Sequence, residues 1–267
     1  MSARRVAPRF SAHLGMLFTE LPFPQRFEAA ARAGFEACEM RFPFDYPAQE
    51  VAGWLERARL TNAIFNMPAG DWGAGERGIA ALPGREAEFR EGVQKSVEYA
   101  RVLGTKMLHA MAGKAVPGVG HERERKAFVE NLRYAAREAA KIGVTVTIEP
   151  INPNDVPGYF LTTQEQAHAI RTEVGEPNLK VQLDLYHAQI VEGDLATKIR
   201  KYLPHIGHVQ VAGVPGRHEP DDRGEINFPY LFALLDELGY AGWVGCEYAP
   251  RGRTEDGLAW MRPYRTV

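Results

Sequence analysis

The chain has 267 residues, a formal net charge of −2 and two cysteines. The length suits either one (β/α)8 barrel of about 250 residues or two smaller domains, and the balanced charge gives no reason to expect nucleic acid or an anionic membrane as partner. The two cysteines exclude a disulfide framework, and the lack of any apolar stretch near ~20 residues or of a signal peptide predicts a soluble, cytoplasmic protein.

Short apolar runs alternate with longer amphipathic stretches along the chain. The predicted strands cover residues 10–14, 37–41, 62–66, 106–111, 144–149, 180–184, 208–212 and 243–247. The clearest predicted helices cover residues 25–33, 48–59, 86–103, 122–142, 163–174, 195–202, 230–238 and 255–261. This alternation predicts parallel β/α units that close into a single (β/α)8 TIM barrel over residues 10–267, after an N-terminal extension over residues 1–9.

Glycines placed just after the predicted helices support these boundaries, because a left-handed C-cap favours glycine. They are Gly34, Gly104, Gly143, Gly175, Gly207 and Gly239. The short distance from several of them to the next predicted strand fits a chain of compact β/α units.

An open, doubly wound sheet is the alternative arrangement of these elements, and it predicts a glycine-rich phosphate loop after the first strand. Residues 15–20 follow that strand and are not glycine-rich. A G-x-G-x-x-G match at Gly73, Gly75 and Gly78 follows the third strand and does not open a helix directly. We interpret it as part of a long loop, a candidate lid, in which Trp72 is the best-placed residue to cover a substrate.

Oxygen-bearing side chains lie at the ends of four consecutive predicted strands. They are Glu149, Asp184, Gln210 and Glu247, on the fifth to eighth strands. The carboxyl ends of barrel strands meet at one rim, which is where catalytic groups lie. Any one of these residues alone is more simply a structural polar strand end, but carboxylates are rarely buried unless paired or metal-bound. Together they predict a site for Mg²⁺ or Mn²⁺.

Further polar residues are expected at the same rim. His187 follows Asp184 by one helical turn, and Arg217 lies in the loop after the seventh strand. An arginine there would hold a substrate carboxylate bidentately; the alternatives are a structural histidine bonded to a backbone carbonyl and a surface ion pair with Glu219. Asn66, the last residue of the third predicted strand, is a fourth expected substrate contact beside His187, Arg217 and Trp72.

At these positions the sequence resembles the hydroxypyruvate isomerase family of xylose-isomerase-like barrels. The matching segments are Glu149-Pro150-Ile151-Asn152, Gln182-Leu183-Asp184-Leu185-Tyr186-His187, Gly207-His208-Val209-Gln210, Pro215-Gly216-Arg217-His218-Glu219-Pro220, Gly224-Glu225-Ile226-Asn227 and Gly245-Cys246-Glu247-Tyr248. The resemblance runs almost end to end and also takes in Leu82-Pro83-Gly84-Arg85. Cys246 precedes Glu247, so strand alternation points it outward as a packing residue.

The resemblance implies a divalent metal and a defined reaction. The implied ligands are Glu149, Asp184, Gln210 and Glu247, with Glu149 and Glu247 as the acid/base pair and with His187 and Arg217 at the substrate. The implied reaction converts hydroxypyruvate to tartronate semialdehyde through an enediolate, with the metal stabilising the developing oxyanion. The expected partner is therefore a small hydroxy or keto acid, and the sequence leaves the oligomeric state, including a homo-oligomer, open.

Alternatives of the same superfamily remain open. The sister group of 2-oxo-tetronate isomerases is similar around Gly213, where many hydroxypyruvate isomerases carry an acidic residue. Arg41 also stands where apolar residues are more usual, and it would either contact a substrate carboxylate or bridge to Asp45. Two carboxylates on opposite faces of an enediolate would also permit epimerisation, as in the ketose 3-epimerases.

Two further classes are weighed against isomerisation. Metal-dependent hydrolases related to endonuclease IV have sites richer in histidine and need several metals, whereas this rim has one clear histidine near the ligands. A non-catalytic binding protein on the same barrel would be expected to lack at least one of the two glutamates, and both are present.

Overall fold

Eight parallel strands close into a barrel in sequence order. The structure is a computed structural model that describes residues 8–264. Its strands are β1 (Arg9–His13), β2 (Ala37–Met40), β3 (Thr61–Asn66), β4 (Met107–His109), β5 (Thr145–Ile148), β6 (Leu179–Asp184), β7 (Ile206–Val211) and β8 (Trp243–Cys246). β8 pairs with β1, which confirms the predicted (β/α)8 TIM barrel. Residues 1–7 of the predicted N-terminal extension lie outside the described residues.

Helices connect the strands and cover the outside of the barrel. They are α1 (Phe23–Arg32), α2 (Ala48–Ala58), α3 (Glu86–Leu103), α4 (His121–Ala140), α5 (Gln164–Val174), α6 (Leu185–Val191), α7 (Leu195–Tyr202) and α8 (Phe228–Glu237). In α4, Phe128, Leu132, Ala135 and Ala139 recur at helical spacing and are all buried. This apolar stripe packs the helix against the barrel, since one face of each helix must leave water.

Two short helical segments differ from the sequence prediction. α6 was not predicted; it begins directly after β6, where the Oδ1 atom of Asp184 accepts a hydrogen bond from the Tyr186 backbone N–H at 2.8 Å. The predicted eighth helix is a 3₁₀ helix over Glu255–Tyr264. Pro263 lies inside it, and proline has no N–H to donate to a helical ladder. A second 3₁₀ turn, Leu203–His205, follows α7.

One predicted helix cap is wrong. Gly207 lies within β7, where a side chain would come 2.9 Å from the Cβ of Lys180 and 3.1 Å from the Cγ2 of Thr147. The glycine is therefore needed for close packing between strands. The other predicted cap glycines have positive φ, as at Gly104 after α3 (φ 69°).

The pairing register sets which inward side chains share a level of the barrel. His13 is opposite Glu39, and Asp184 is opposite Gln210. A side chain at Gly245 would collide with the Glu39 carboxylate, so this glycine leaves room for an acidic group inside the barrel. Parallel register thus brings polar residues that are distant in the sequence to one end of the barrel.

Two remaining expectations concern cysteine and membranes. Cys38 and Cys246 are free and buried, as packing residues would be. Within residues 8–264, every helix is too short or too polar to cross a lipid bilayer.

Candidate active site

A small cavity opens at the carboxyl ends of the strands. Its volume is about 230 Å³, below the roughly 300–1,000 Å³ of pockets that hold drug-sized ligands. All predicted site residues except Asp184 line it: Asn66, Trp72, Glu149, His187, Gln210, Arg217 and Glu247. Asp184 lies against its wall, with Oδ2 3.6 Å from the His187 Nε2. The cavity therefore suits a small metabolite.

A larger groove of about 940 Å³ lies between the loop before α8 and the C-terminal 3₁₀ helix. Three of its charged residues bind one another: Arg251 donates to Asp221 at 2.6 Å and to Glu219 at 3.0 Å. Glu219 is therefore the partner of Arg251, and the alternative expectation that it pairs with Arg217 is not met. Apart from Asp184, the strand-end residues predicted for the site line the smaller cavity and not this groove, so we place the chemistry in the smaller cavity.

On the β5–β6 side of the cavity lie two carboxylate oxygens that accept no hydrogen bond. Ligand atoms of Glu149, Asp184 and His187 all lie within 4.8 Å of one another. Both Glu149 Oε1 and Asp184 Oδ2 are buried and have no hydrogen-bond donor. Buried polar atoms in proteins are nearly always hydrogen-bonded, so two such oxygens side by side indicate a position for a ligand.

The pKa values of the three carboxyl groups shift in different directions. Burial and like charges raise them, whereas nearby positive charges lower them. Burial raises the pKa of Glu149 well above its usual range, and the charges of Glu247 and Asp184 raise it further. Burial also raises the pKa of Asp184, against the opposing charge of Arg217. Burial acts the same way on Glu247, but His13 and Arg217 outweigh it and lower the pKa of that carboxyl. A divalent cation would relieve this crowding of negative charge.

A buried hydrogen-bond network fixes the amide of Gln210. The Gln210 Nε2 atom donates to Glu39 Oε2 at 2.8 Å, and His208 Nε2 lies 2.8 Å from Glu39 Oε1, which also accepts from the Ser11 hydroxyl. Burial would raise the pKa of Glu39, but His208 beside it lowers that pKa. With its nitrogen held by Glu39, Gln210 turns its oxygen the other way, where it accepts from Gln182 at 2.5 Å.

The hydrogen bonds of His187 define its tautomer. Asn152 Nδ2 lies 2.6 Å from His187 Nδ1, and the Asp155 backbone N–H donates to Asn152 Oδ1, which sets the orientation of the amide. Burial lowers the pKa of His187 well below its usual value, so the ring is neutral. Since Nδ1 accepts, Nε2 carries the proton; it lies 3.6 Å from Asp184 Oδ2, too far for a hydrogen bond, and is free to donate to a ligand.

Arg217 lies among the carboxylates of the rim. Its backbone is left-handed (φ 52°), and its carbonyl accepts from the Ala249 N–H at 2.8 Å, which fixes the loop. Its guanidinium lies 3.1 Å from Asp155, 3.3 Å from Glu247 and 3.9 Å from Asp184. In this position Arg217 compensates the charges of the protein's own carboxylates.

Trp72 lies at the opposite wall of the cavity. Its ring makes an edge contact with Phe42 (centroids 5.2 Å apart), and the guanidinium carbons of Arg77 and Arg41 lie 4.0 and 5.1 Å from its centroid. Within residues 8–264, Arg41 forms no ion pair with Asp45, one of the two roles considered for it. Trp72 therefore closes one side of the cavity together with the guanidinium groups of Arg41 and Arg77.

Two histidines of the site were missed by sequence reasoning. His13 Nε2 lies 3.4 Å from Glu247 Oε1, and His109 Nδ1 lies 3.1 Å from Asn66 Oδ1 and 3.8 Å from Glu149 Oε2. Burial lowers the pKa of both, that of His109 to about 4. Both lie near the ends of predicted strands, so the rule that found the carboxylates would have found them had it been applied to histidine.

Sequence comparisons place this chain among isomerases. A family model described as the xylose isomerase-like TIM barrel matches residues 27–264. A 2-oxo-tetronate isomerase from Cupriavidus necator is 54% identical over 96% of this chain and 98% of its own length. A hydroxypyruvate isomerase from Escherichia coli is 49% identical over 96% of this chain and 99% of its own length.

Comparison with solved structures gives the same fold. A crystal structure from Brucella melitensis, described as an AP endonuclease of family 2, has a TM-score of 0.94 and 51% identity, covering 97% of this chain and 100% of that chain. A D-psicose 3-epimerase from Clostridium cellulolyticum, solved with D-tagatose, has a TM-score of 0.74 at 19% identity and covers 96% of this chain and 91% of its own. At that identity the likeness shows the fold alone.

Proposed function

The chain belongs to the xylose isomerase-like TIM barrel family and is an isomerase, and we propose that it interconverts hydroxypyruvate and tartronate semialdehyde. The observation that carries this proposal is the pair of buried, unpartnered carboxylate oxygens of Glu149 and Asp184 beside a cavity of about 230 Å³. Such a site suits a small, oxygen-rich substrate held through a cation.

We propose that Glu149, Asp184, Gln210 and Glu247 hold Mg²⁺ or Mn²⁺. The donors are all oxygens, which hard divalent cations prefer. The unpartnered oxygens and the like-charge crowding that raises the pKa of Glu149 both fit a missing positive charge. When bound, the ion would polarise the substrate carbonyl and stabilise the negative charge that develops on its oxygen.

The two glutamates are proposed to move the proton between carbons. One carboxylate removes a proton from C3 of hydroxypyruvate to give an enediolate, and a carboxyl group returns a proton to C2. The hydroxyl proton meanwhile moves from the C3 oxygen to the C2 oxygen, which leaves the aldehyde at C3 and balances the isomerisation. Acid/base help of this kind contributes about 10²–10⁴-fold to the rate.

His187 is proposed to orient the substrate oxygens. Its neutral ring donates from Nε2, because Nδ1 accepts from Asn152. A protonated Nε2 cannot be a metal ligand, so although His187 lies within 4.8 Å of the two carboxylates, we assign it to the substrate rather than to the ion. A hydrogen bond to a developing oxyanion would be stronger than one to the ground-state carbonyl.

A four-carbon 2-oxo-tetronate is the second candidate substrate, because the Cupriavidus relative is named for it and is 54% identical. The structure also explains one sequence feature shared with that group. A side chain at Gly213 would come 2.7 Å from the Glu219 carbonyl oxygen, so in this chain glycine allows the close approach of the turn that presents Arg217. Hydrolysis of a nucleic acid strand is disfavoured by the small cavity and by the net charge of −2.

The test is turnover of both acids by EDTA-stripped protein, with and without added Mg²⁺ or Mn²⁺. We expect isomerisation only when metal is restored, with hydroxypyruvate as the preferred substrate. Preference for the four-carbon acid would move the chain to the 2-oxo-tetronate group. Turnover without metal would contradict the metal assignment, and no turnover of either acid by metal-loaded protein would contradict the proposed substrates.

A further inference from the structure

Positive charge is concentrated on the wall of the cavity that faces the carboxylates. We define the arginine–tryptophan cluster as Arg41, Trp72 and Arg77. All three side chains line the cavity and are partly buried, with both guanidinium groups over the ring of Trp72. The cavity therefore has an anionic side, suited to a cation, and a cationic side, suited to an anion.

Arg41 is the cation of this cluster that forms no ion pair and no side-chain hydrogen bond within residues 8–264. It follows β2 directly, and in the described part of the chain its guanidinium contacts the face of Trp72 but no hydrogen-bond acceptor. Burial lowers its pKa, as do the nearby charges of Arg217 and Arg77, against an opposing effect of Glu247. Holding a partly buried guanidinium without an acceptor is costly, so a bound anion would stabilise it.

The other two arginines of the cavity are already engaged. Arg77 donates to the backbone carbonyls of Glu76 at 2.7 Å and Trp72 at 3.2 Å. Arg217 is held between Asp155 and Glu247, and of its donors only Nε is buried without an acceptor. Arg41 alone offers its whole planar fork, which matches the two oxygens of a carboxylate.

We propose that Arg41 binds the substrate carboxylate, with Arg77 as a second positive charge and Trp72 as the surface that holds both. This inference rests on the proposed function and deepens it, because it assigns the acid end of the substrate to the wall opposite the metal ligands. It also makes the charge of the substrate a determinant of specificity: a hydroxy keto acid is selected over a neutral ketose of similar size. We thus assign binding of the substrate carboxylate, which the sequence led us to expect of Arg217, to Arg41.

The test is calorimetric binding of glycerate, which cannot isomerise, and of its uncharged amide, glyceramide, to the Mg²⁺-loaded protein. Wild-type protein should bind glycerate more tightly than glyceramide. Arg41→Gln should raise the Kd for glycerate about 10- to 100-fold, the usual effect of losing charge-assisted hydrogen bonds, and leave that for glyceramide unchanged. Arg41→Lys keeps the charge without the fork and should fall between the two.

A matched control lies at the other end of the barrel, where Arg9 stacks on Trp243 at 3.8 Å. Arg9→Gln should leave both dissociation constants unchanged. The proposal is overturned if Arg41→Gln binds glycerate normally, if it loses both ligands equally, or if Arg217→Gln alone loses the preference for glycerate.

Hydroxypyruvate turnover by the wild type separates the two proposals. Turnover together with glycerate binding that does not depend on Arg41 overturns the carboxylate site and leaves the isomerase intact. Binding of glycerate that depends on Arg41, without turnover, supports the carboxylate site and contradicts the substrate assigned to the enzyme.

Discussion

The rim formed by β5 to β8 presents the carboxylates of the predicted cation site, whereas the rim formed by β1 to β4 presents imidazoles, an amide, an arginine and the hydrogen-bonded carboxylate of Glu39. In the first half, the carboxyl groups of Glu149 and Asp184 have raised pKa values and oxygens without donors. In the second half, burial lowers the pKa values of His13 and His109, so these rings are neutral near pH 7. The first half fits the proposed cation, and the second half fits the proposed organic acid.

The largest expected effect is the loss of turnover when a glutamate of the carboxylate half is replaced. Glu149→Gln and Glu247→Gln should each lower turnover of hydroxypyruvate by about 10²–10⁴-fold, because the amide cannot exchange the proton. Circular dichroism should show that both variants fold, and the unfolding midpoint of Glu149→Gln should stay close to wild type because that change removes a charge from a crowded cluster. The control is Glu28→Gln, on the exposed face of α1. Near-normal turnover in either site variant would contradict the acid/base assignment.

The buried His109 of the β1–β4 half should make the free energy of unfolding depend on pH. The pKa of His109 falls from 6.5 to about 4 in the folded protein, because burial penalises the charged ring. The unfolded chain therefore binds more protons between these values, and stability falls as the pH is lowered from 6.5 to 4, by about 3 kcal/mol for this residue.

Urea unfolding at several pH values measures this effect. His109→Gln should flatten the pH dependence between pH 6.5 and 4, whereas His121→Gln, at the exposed start of α4, should not. An unchanged slope in His109→Gln would mean that His109 is protonated at the same pH in the folded and unfolded states.

Metal binding at the carboxylate half should stabilise the folded protein against unfolding. At a metal concentration of about 100 times Kd, ligand binding contributes about 2.7 kcal/mol, or roughly 5–10 °C in the midpoint of thermal unfolding. EDTA-stripped protein should show this rise when Mn²⁺ is added, and Asp184→Asn should not. An equal rise in Asp184→Asn would place the ion elsewhere.

The smallest expected effect links the two halves through Glu39. This residue accepts from the Gln210 nitrogen and so fixes the orientation of the amide, whose oxygen accepts from Gln182. Glu39→Gln should weaken Mn²⁺ binding about 10- to 100-fold, as is usual when a group that orients a metal ligand is lost. Glu36→Gln, at the exposed residue directly before β2, is the control. Normal Mn²⁺ affinity in Glu39→Gln would show that Gln210 needs no such support.

The sequence predicts the carboxylate half well for a physical reason. A charged residue directly after an apolar strand is costly to bury, so Glu149, Asp184 and Glu247 stand out without any structural information. The barrel itself follows from the alternation of strands and helices. The same pattern cannot give the distances at which these side chains meet, because those depend on the register and closure of the barrel.

The other half is harder to predict because its residues have common structural roles. A histidine within an apolar strand is often a core residue, and Glu39 lies inside the second predicted strand rather than at its end. Its inward direction becomes evident only from its position opposite His13 and from the space left by Gly245. α6 was missed because its apolar sequence continues that of β6, although Asp184 provides a standard N-cap.

The most direct test of this division is a crystal structure of the protein with Mn²⁺ and glycerate, using the anomalous signal of manganese. We predict one manganese ion among Glu149, Asp184, Gln210 and Glu247, and the glycerate carboxylate within hydrogen-bonding distance of Arg41. Manganese bound away from these four residues, or a carboxylate held by Arg217 instead, would contradict the assignment of the two halves.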